Sequence, residues 1–88
     1  MAHAKHVIGI KTKITDPDAI LQLSQPIVEF AIQHGFDVTI GYNPQNQLIC
    51  ECSASGKSSA YCKGCCAEIK EMLKDAFKCK LETIFYMS

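Results

Sequence analysis

The sequence predicts an α+β domain of the ferredoxin-like class, a β-α-β-β-α-β two-layer sandwich with a four-stranded antiparallel sheet and two helices on one face. Three observations predict it. Four short segments alternate apolar and polar residues with period two. Two longer segments repeat apolar residues at helical spacing. Caps, glycines and prolines separate the segments. A length of 88 residues, 48% of them apolar and 20% charged, suits one domain over residues 1–88 with a modest core.

His6 to Ile14 reads as the first strand, with Ile8, Ile10 and Ile14 on one face and Val7, Gly9, Lys11 and Lys13 on the other. Thr15-Asp16-Pro17-Asp18 then starts a helix. Asp16 can cap the free amides, Pro17 suits the first helical position, and Asp18 complements the positive end of the dipole. Ile20, Leu23, Ile27, Phe30 and Ala31 recur at helical spacing, and Gly35 stops the helix just beyond His34. Pro26 falls inside this segment. It has no N–H to give Gln22 and disfavours helix at Gln25, which predicts a kink or two short helices.

Phe36 to Tyr42 alternates again, with Phe36, Val38, Ile40 and Tyr42 sharing a face. Asn43-Pro44-Gln45-Asn46 is a turn with Asn first and Pro second. In the next strand Leu48, Cys50 and Cys52 share one face and Ile49 and Glu51 the other. Ser53 to Ser59 is a polar linker whose Ser58 or Ser59 can cap the following helix. In that second helix Cys62, Cys65, Cys66, Ile69, Leu73, Ala76 and Phe77 fall within an arc of roughly 120° at about 100° per residue. Cys79 to Met87 is the last strand, with Leu81, Thr83, Phe85 and Met87 on one face.

The expected sheet order is 4-1-3-2. The strand directions that follow bring the end of the third strand, the start of the second helix, the end of the first helix and the start of the first strand to one edge. Cys52, Cys62, Cys65, His34, His6 and His3 would meet there, with Cys79 at the opposite edge.

Five of the six cysteines lie between Cys50 and Cys66, as a C-x-C on a strand and a C-x-x-C-C at a helix start. Cys50, Cys52, Cys62, Cys65, Cys66 and His34 are therefore the candidate metal ligands. Four thiolates suffice for tetrahedral zinc, two or three for Cu(I), and four for an iron–sulfur cluster. The helix amides with Lys57 and Lys63 favour thiolate, most of all at Cys62, whereas Cys66, a turn further in, should be held neutral by apolar neighbours. A redox-active pair is the other chemical use of these thiols. The non-chemical one is core packing, since Cys62, Cys65 and Cys66 share a stripe with Ile69 and Leu73, and free Cys packs as a small hydrophobe.

Nine basic and nine acidic residues balance, which predicts no bulk attraction to nucleic acid or anionic membrane. No apolar run approaches the roughly 18 residues of a membrane span and no secretory leader is evident, so a reducing cytoplasm is expected. In that compartment the cysteines read as thiols or ligands rather than a disulfide framework. Gly56-Lys57-Ser58 lacks the earlier glycine of a phosphate-binding loop, because Glu51 occupies that place. The open sheet face lacks the stacking aromatics of an RNA-recognition domain.

That open face carries Val7, Ile49, Ile84 and Tyr86, bordered by Lys11, Lys13, Lys80 and Glu82. It predicts a homodimer contact or a protein partner's docking surface. Tyr61-Cys62-Lys63-Gly64-Cys65 resembles the metal-binding turn of heavy-metal-associated domains, which share the β-α-β-β-α-β order. In those domains the C-x-x-C follows the first strand, where this chain has Thr15-Asp16-Pro17.

Two functional expectations follow. The first is a binding module whose cysteines hold zinc, Cu(I) or another thiophilic ion, or act as a redox site. The alternative is a dimeric regulatory or adaptor domain in which the cysteines only pack. No His/carboxylate or Ser/His constellation recommends an enzyme.

Overall fold

The computed structural model describes residues 3–87. Its elements are β1 (His3–Ile10), α1 (Pro17–Gln33), β2 (Asp37–Tyr42), β3 (Leu48–Ser55), α2 (Ser59–Phe77) and β4 (Leu81–Met87). The sheet order is β2-β3-β1-β4 with every neighbour antiparallel. This is the expected ferredoxin-like α+β sandwich.

Alternation fixes the inner face of the sheet. Ala4, His6, Ile8 and Ile10 of β1 and Leu48, Cys50, Cys52 and Ala54 of β3 are buried, two residues apart as a pleated strand requires. Against them α1 lays Ile20, Ile27 and Ala31, and α2 lays Cys62, Cys65, Cys66, Ile69, Leu73 and Phe77. Burying one of the large aliphatic side chains contributes about 1.5–3 kcal/mol. On β2, Val38 and Ile40 are half-buried, but Tyr42 is exposed at the strand's end, departing from the inward set expected for it.

The helix boundaries follow the capping chemistry. Asp16 accepts the Asp18 amide at 3.4 Å ahead of Pro17. Ser58 accepts the Tyr61 amide at 3.1 Å, so Ser58 is the cap of α2. Gly35, with φ of +75°, turns the chain out of α1 while the Phe36 amide donates to the Ala31 carbonyl at 2.8 Å.

Pro26 does not split α1, which runs without a break to Gln33. The proline lies on the exposed side of the helix, as does Gln22. The one carbonyl left without its helical donor is therefore at the solvent side.

A bulge alters the expected faces of β4. Val7 pairs with Phe85 but Ile8 pairs with Thr83, leaving Ile84 as the extra residue. Leu81 and Thr83 stay in register with inward-facing Ile10 and Ile8, whereas Phe85 and Met87 pair with outward-facing Val7 and Lys5. Tyr86 is thereby moved off the open face, where alternation placed it, and onto the row of His6. The open-face apolar set is Val7, Ile49, Ile84, Phe85 and Met87. It is laced by Lys5–Glu51 at 3.1 Å and Lys11–Glu82 at 3.6 Å. Among the described residues no helix is long and apolar enough to cross a membrane.

Candidate functional site

The period of two in β3 sends Cys50 and Cys52 inward, and the helical stripe of α2 sends Cys62, Cys65 and Cys66 to meet them. All five thiols are buried and free. They form one seam between β3 and α2, in which Cys66 interacts with both Cys50 and Cys52. Cys52 and Cys66 each exert the largest influence on the other's acidity.

His6 completes this arrangement, at the edge where the strand directions place it, although it is absent from the candidate ligand set. It lies directly across from Cys52 on β3 and from Tyr86 on β4, so the three share one row of the inner face. The His6 ring is 6% exposed. Its Nε2 lies 3.4 Å from Thr83 Oγ1, and Tyr86 packs edge-on at 5.0 Å between ring centroids. The His6 Nδ1 is buried without a hydrogen-bond partner among the described residues. An unsatisfied buried nitrogen costs about 1–3 kcal/mol. The parity of His6 with Ile8 and Ile10 was the signal that could have placed it inward.

Electrostatics divides the thiols. The hydrogen bond from Cys52 brings Cys66 down from an ordinary 9.0 to about 6; burial opposes this, and the His6 ring assists it. Cys52 moves the other way, raised first by the same hydrogen bond, because it keeps the proton that it donates, and then by burial and the neighbouring thiols. The two titrate as a pair that shares one proton. Burial and the charge at Cys66 push Cys50 up to about 12.

The expected ranking of Cys62 over Cys66 is therefore reversed. Burial raises the Cys62 thiol, Cys66 and Cys65 raise it further, and Lys57 only partly offsets them. A helix start favours thiolate in general, but Cys66 has the S–H donor and the imidazole beside it.

His34 sits at the same end of the domain, at the C-terminus of α1, and engages Tyr61 rather than the thiols. The Tyr61 hydroxyl donates to the His34 carbonyl at 3.2 Å and lies 3.2 Å from its Nδ1. Lys57 Nζ stands 5.5 Å from the Tyr61 ring centroid. Burial first, and then the Cys65 and Cys62 thiols, raise the Tyr61 hydroxyl above its ordinary value. Cys79 lies at the far end of the domain beside the Lys11 backbone, as expected. The expectation for His3 falls outside the described side chains.

Among the described residues, no three or more His, Cys, Asp or Glu side chains are grouped to hold one ion. The fold and this seam define a small ferredoxin-like domain with five buried thiols, of which Cys66 is shifted toward thiolate. The chain matches no protein-family model and no curated protein.

Proposed function

We propose that the domain is a cytoplasmic thiol module in which Cys52 and Cys66 form a redox pair that cycles between dithiol and disulfide. The observation that carries this is the burial of Cys52 on β3 and Cys66 on α2 in one core cluster, with His6 directly across from Cys52. A pair so placed already has a thiolate nucleophile and a second sulfur next to it. Closing it forms one S–S bond from the Cys66 thiolate and the Cys52 S–H, releasing one proton and two electrons to an oxidant. The bond formed would be about 2.05 Å long and would tie β3 to α2. A reducing compartment would keep the pair open until an oxidant arrived.

The test is equilibration of folded protein in poised dithiothreitol buffers, followed by thiol mapping. The proposal expects Cys52 and Cys66 to be lost together and to return together on reduction. Independent behaviour of the two would refute it.

The same two thiols admit a second reading of the site. A soft ion such as Cu(I) could be held between the Cys52 and Cys66 sulfurs alone, with the His6 ring across from Cys52. Element analysis of protein purified without added metal separates the readings. A stoichiometric ion bound by Cys52 and Cys66 would replace the redox account with a metal one. The exposed Ile84, Phe85 and Met87 support the adaptor reading, in which a second copy covers the open sheet face.

A further inference from the structure

We propose that the end of the domain remote from the thiol seam binds a small polyphosphate, a chain of two or three phosphate groups, in a cavity between the segment after β1 and the turn from α2 to β4. The proposal is independent of the thiol chemistry.

The cavity measures about 500 Å³, within the roughly 300–1,000 Å³ of small-molecule sites. Four of the chain's nine basic residues line it, Lys11 and Lys13 on one wall and Lys78 and Lys80 on the other. No carboxylate is among the described residues of its lining. The walls are fixed before any ligand arrives. The Lys11 amide donates to the Lys80 carbonyl at 3.1 Å, and the Ile14 amide donates to Thr12 Oγ1 at 3.1 Å. Lys11 is engaged only by Glu82, at 3.6 Å and with both side chains more than half exposed, so the solvent weakens that pair. Lys13, Lys78 and Lys80 make no ion pair among the described residues.

The α2 dipole does not explain this gathering. Its negative end favours a cation at Lys78, but Lys11 and Lys13 arrive from a different element. That end carries about half an elementary charge, which four ammonium groups outweigh. Lys78 is itself in the left-handed conformation, with φ of 49°, where glycine is the ordinary residue. The chain thus puts an ammonium at a position whose backbone favours having no side chain. Lysine serves as a point charge for phosphate. A single phosphate ester carries about −1.5 to −2 at neutral pH and would leave part of the cluster unmatched, whereas a chain of phosphates spans both walls.

Cys79 reports on the site, because it lines the same cavity and is half-buried while the other five cysteines are buried. The experiment adds inorganic tripolyphosphate to the full chain and follows iodoacetamide alkylation of Cys79 by mass mapping, with calorimetry for affinity. Saturating tripolyphosphate should slow Cys79 alkylation at least fivefold. Inorganic phosphate should bind at least tenfold more weakly. Lys13→Gln and Lys78→Gly should each weaken binding at least fivefold, whereas Lys5→Gln, on the open sheet face, should leave it unchanged. Lys78→Gly supplies the residue that the backbone favours, so its loss of binding cannot be traced to misfolding. ATP separates the sources: binding at least as tight as tripolyphosphate supports an organic triphosphate, and weaker binding supports free polyphosphate. Unprotected Cys79, equal binding of inorganic phosphate, or an equal loss in Lys5→Gln would overturn the proposal.

Discussion

Replacing Cys52 by Ala removes the S–H that donates to Cys66 and leaves burial to act on that thiol. Moving a thiol from 9.0 to about 6 favours the thiolate by about 4 kcal/mol, at about 1.4 kcal/mol per tenfold. The hydrogen bond from Cys52 is the largest contribution and burial opposes it. In Cys52→Ala the Cys66 midpoint should therefore return to 9.0 or above. At pH 7.5 the thiolate fraction would fall from about 97% to about 3% or less. Thiolate absorbance in the ultraviolet, followed against pH, reads this directly. Cys66→Ser identifies the titrating sulfur, because it should abolish the low transition. Cys52→Ser keeps an O–H donor in place and should retain part of the shift. An unchanged midpoint in Cys52→Ala, or no thiolate below pH 8 in the wild type, would refute the account of how Cys66 is activated.

The same shifts predict how stability follows pH. The folded-state value of Cys66 lies below the ordinary one, so its contribution is full above 9.0 and is lost as pH falls through about 6. Cys50 lies above, so its contribution is present below 9.0 and is lost as pH rises towards about 12. Urea denaturation midpoints should thus show a thiol-dependent maximum near pH 9, absent in Cys66→Ser; a flat difference would contradict this. Leu73→Ala empties a fully buried position and should cost about 2–5 kcal/mol by denaturant titration, whereas a loss well under 1 kcal/mol would mean the core is misplaced. Ser58→Ala removes the α2 cap and should cost about 1 kcal/mol, with no change in the Cys66 titration. Ile84→Lys should convert a dimer to a folded monomer in light scattering, and a wild type already monomeric at high concentration would discard the open-face interface.

Much of the fold was legible because it depends on local pattern. The alternation at Ile8 and Ile10, the cap at Asp16 and the stripe from Cys62 to Phe77 each report on a few neighbouring residues. The pattern also placed Cys50, Cys52, Cys62, Cys65 and Cys66 on facing surfaces. Less legible were features set by contacts between elements. The bulge at Ile84 has no marker in β4 itself, yet it turns Tyr86 inward to His6. The reversal between Cys62 and Cys66 has the same origin. A helix start argues for Cys62 from sequence alone, but the partner that lowers Cys66 comes from β3, fourteen positions away by residue number. Pro26 failed as a helix breaker because its lost hydrogen bond faces solvent.

The most direct measurement of the central claim is a non-reducing peptide map of protein oxidised while folded, with intact mass recorded beforehand. The account predicts the loss of two hydrogens and a single crosslinked species joining the Cys52 and Cys66 peptides. A crosslink through Cys62, Cys65 or Cys79 instead, or folded protein that keeps all six thiols under oxidant, would contradict it.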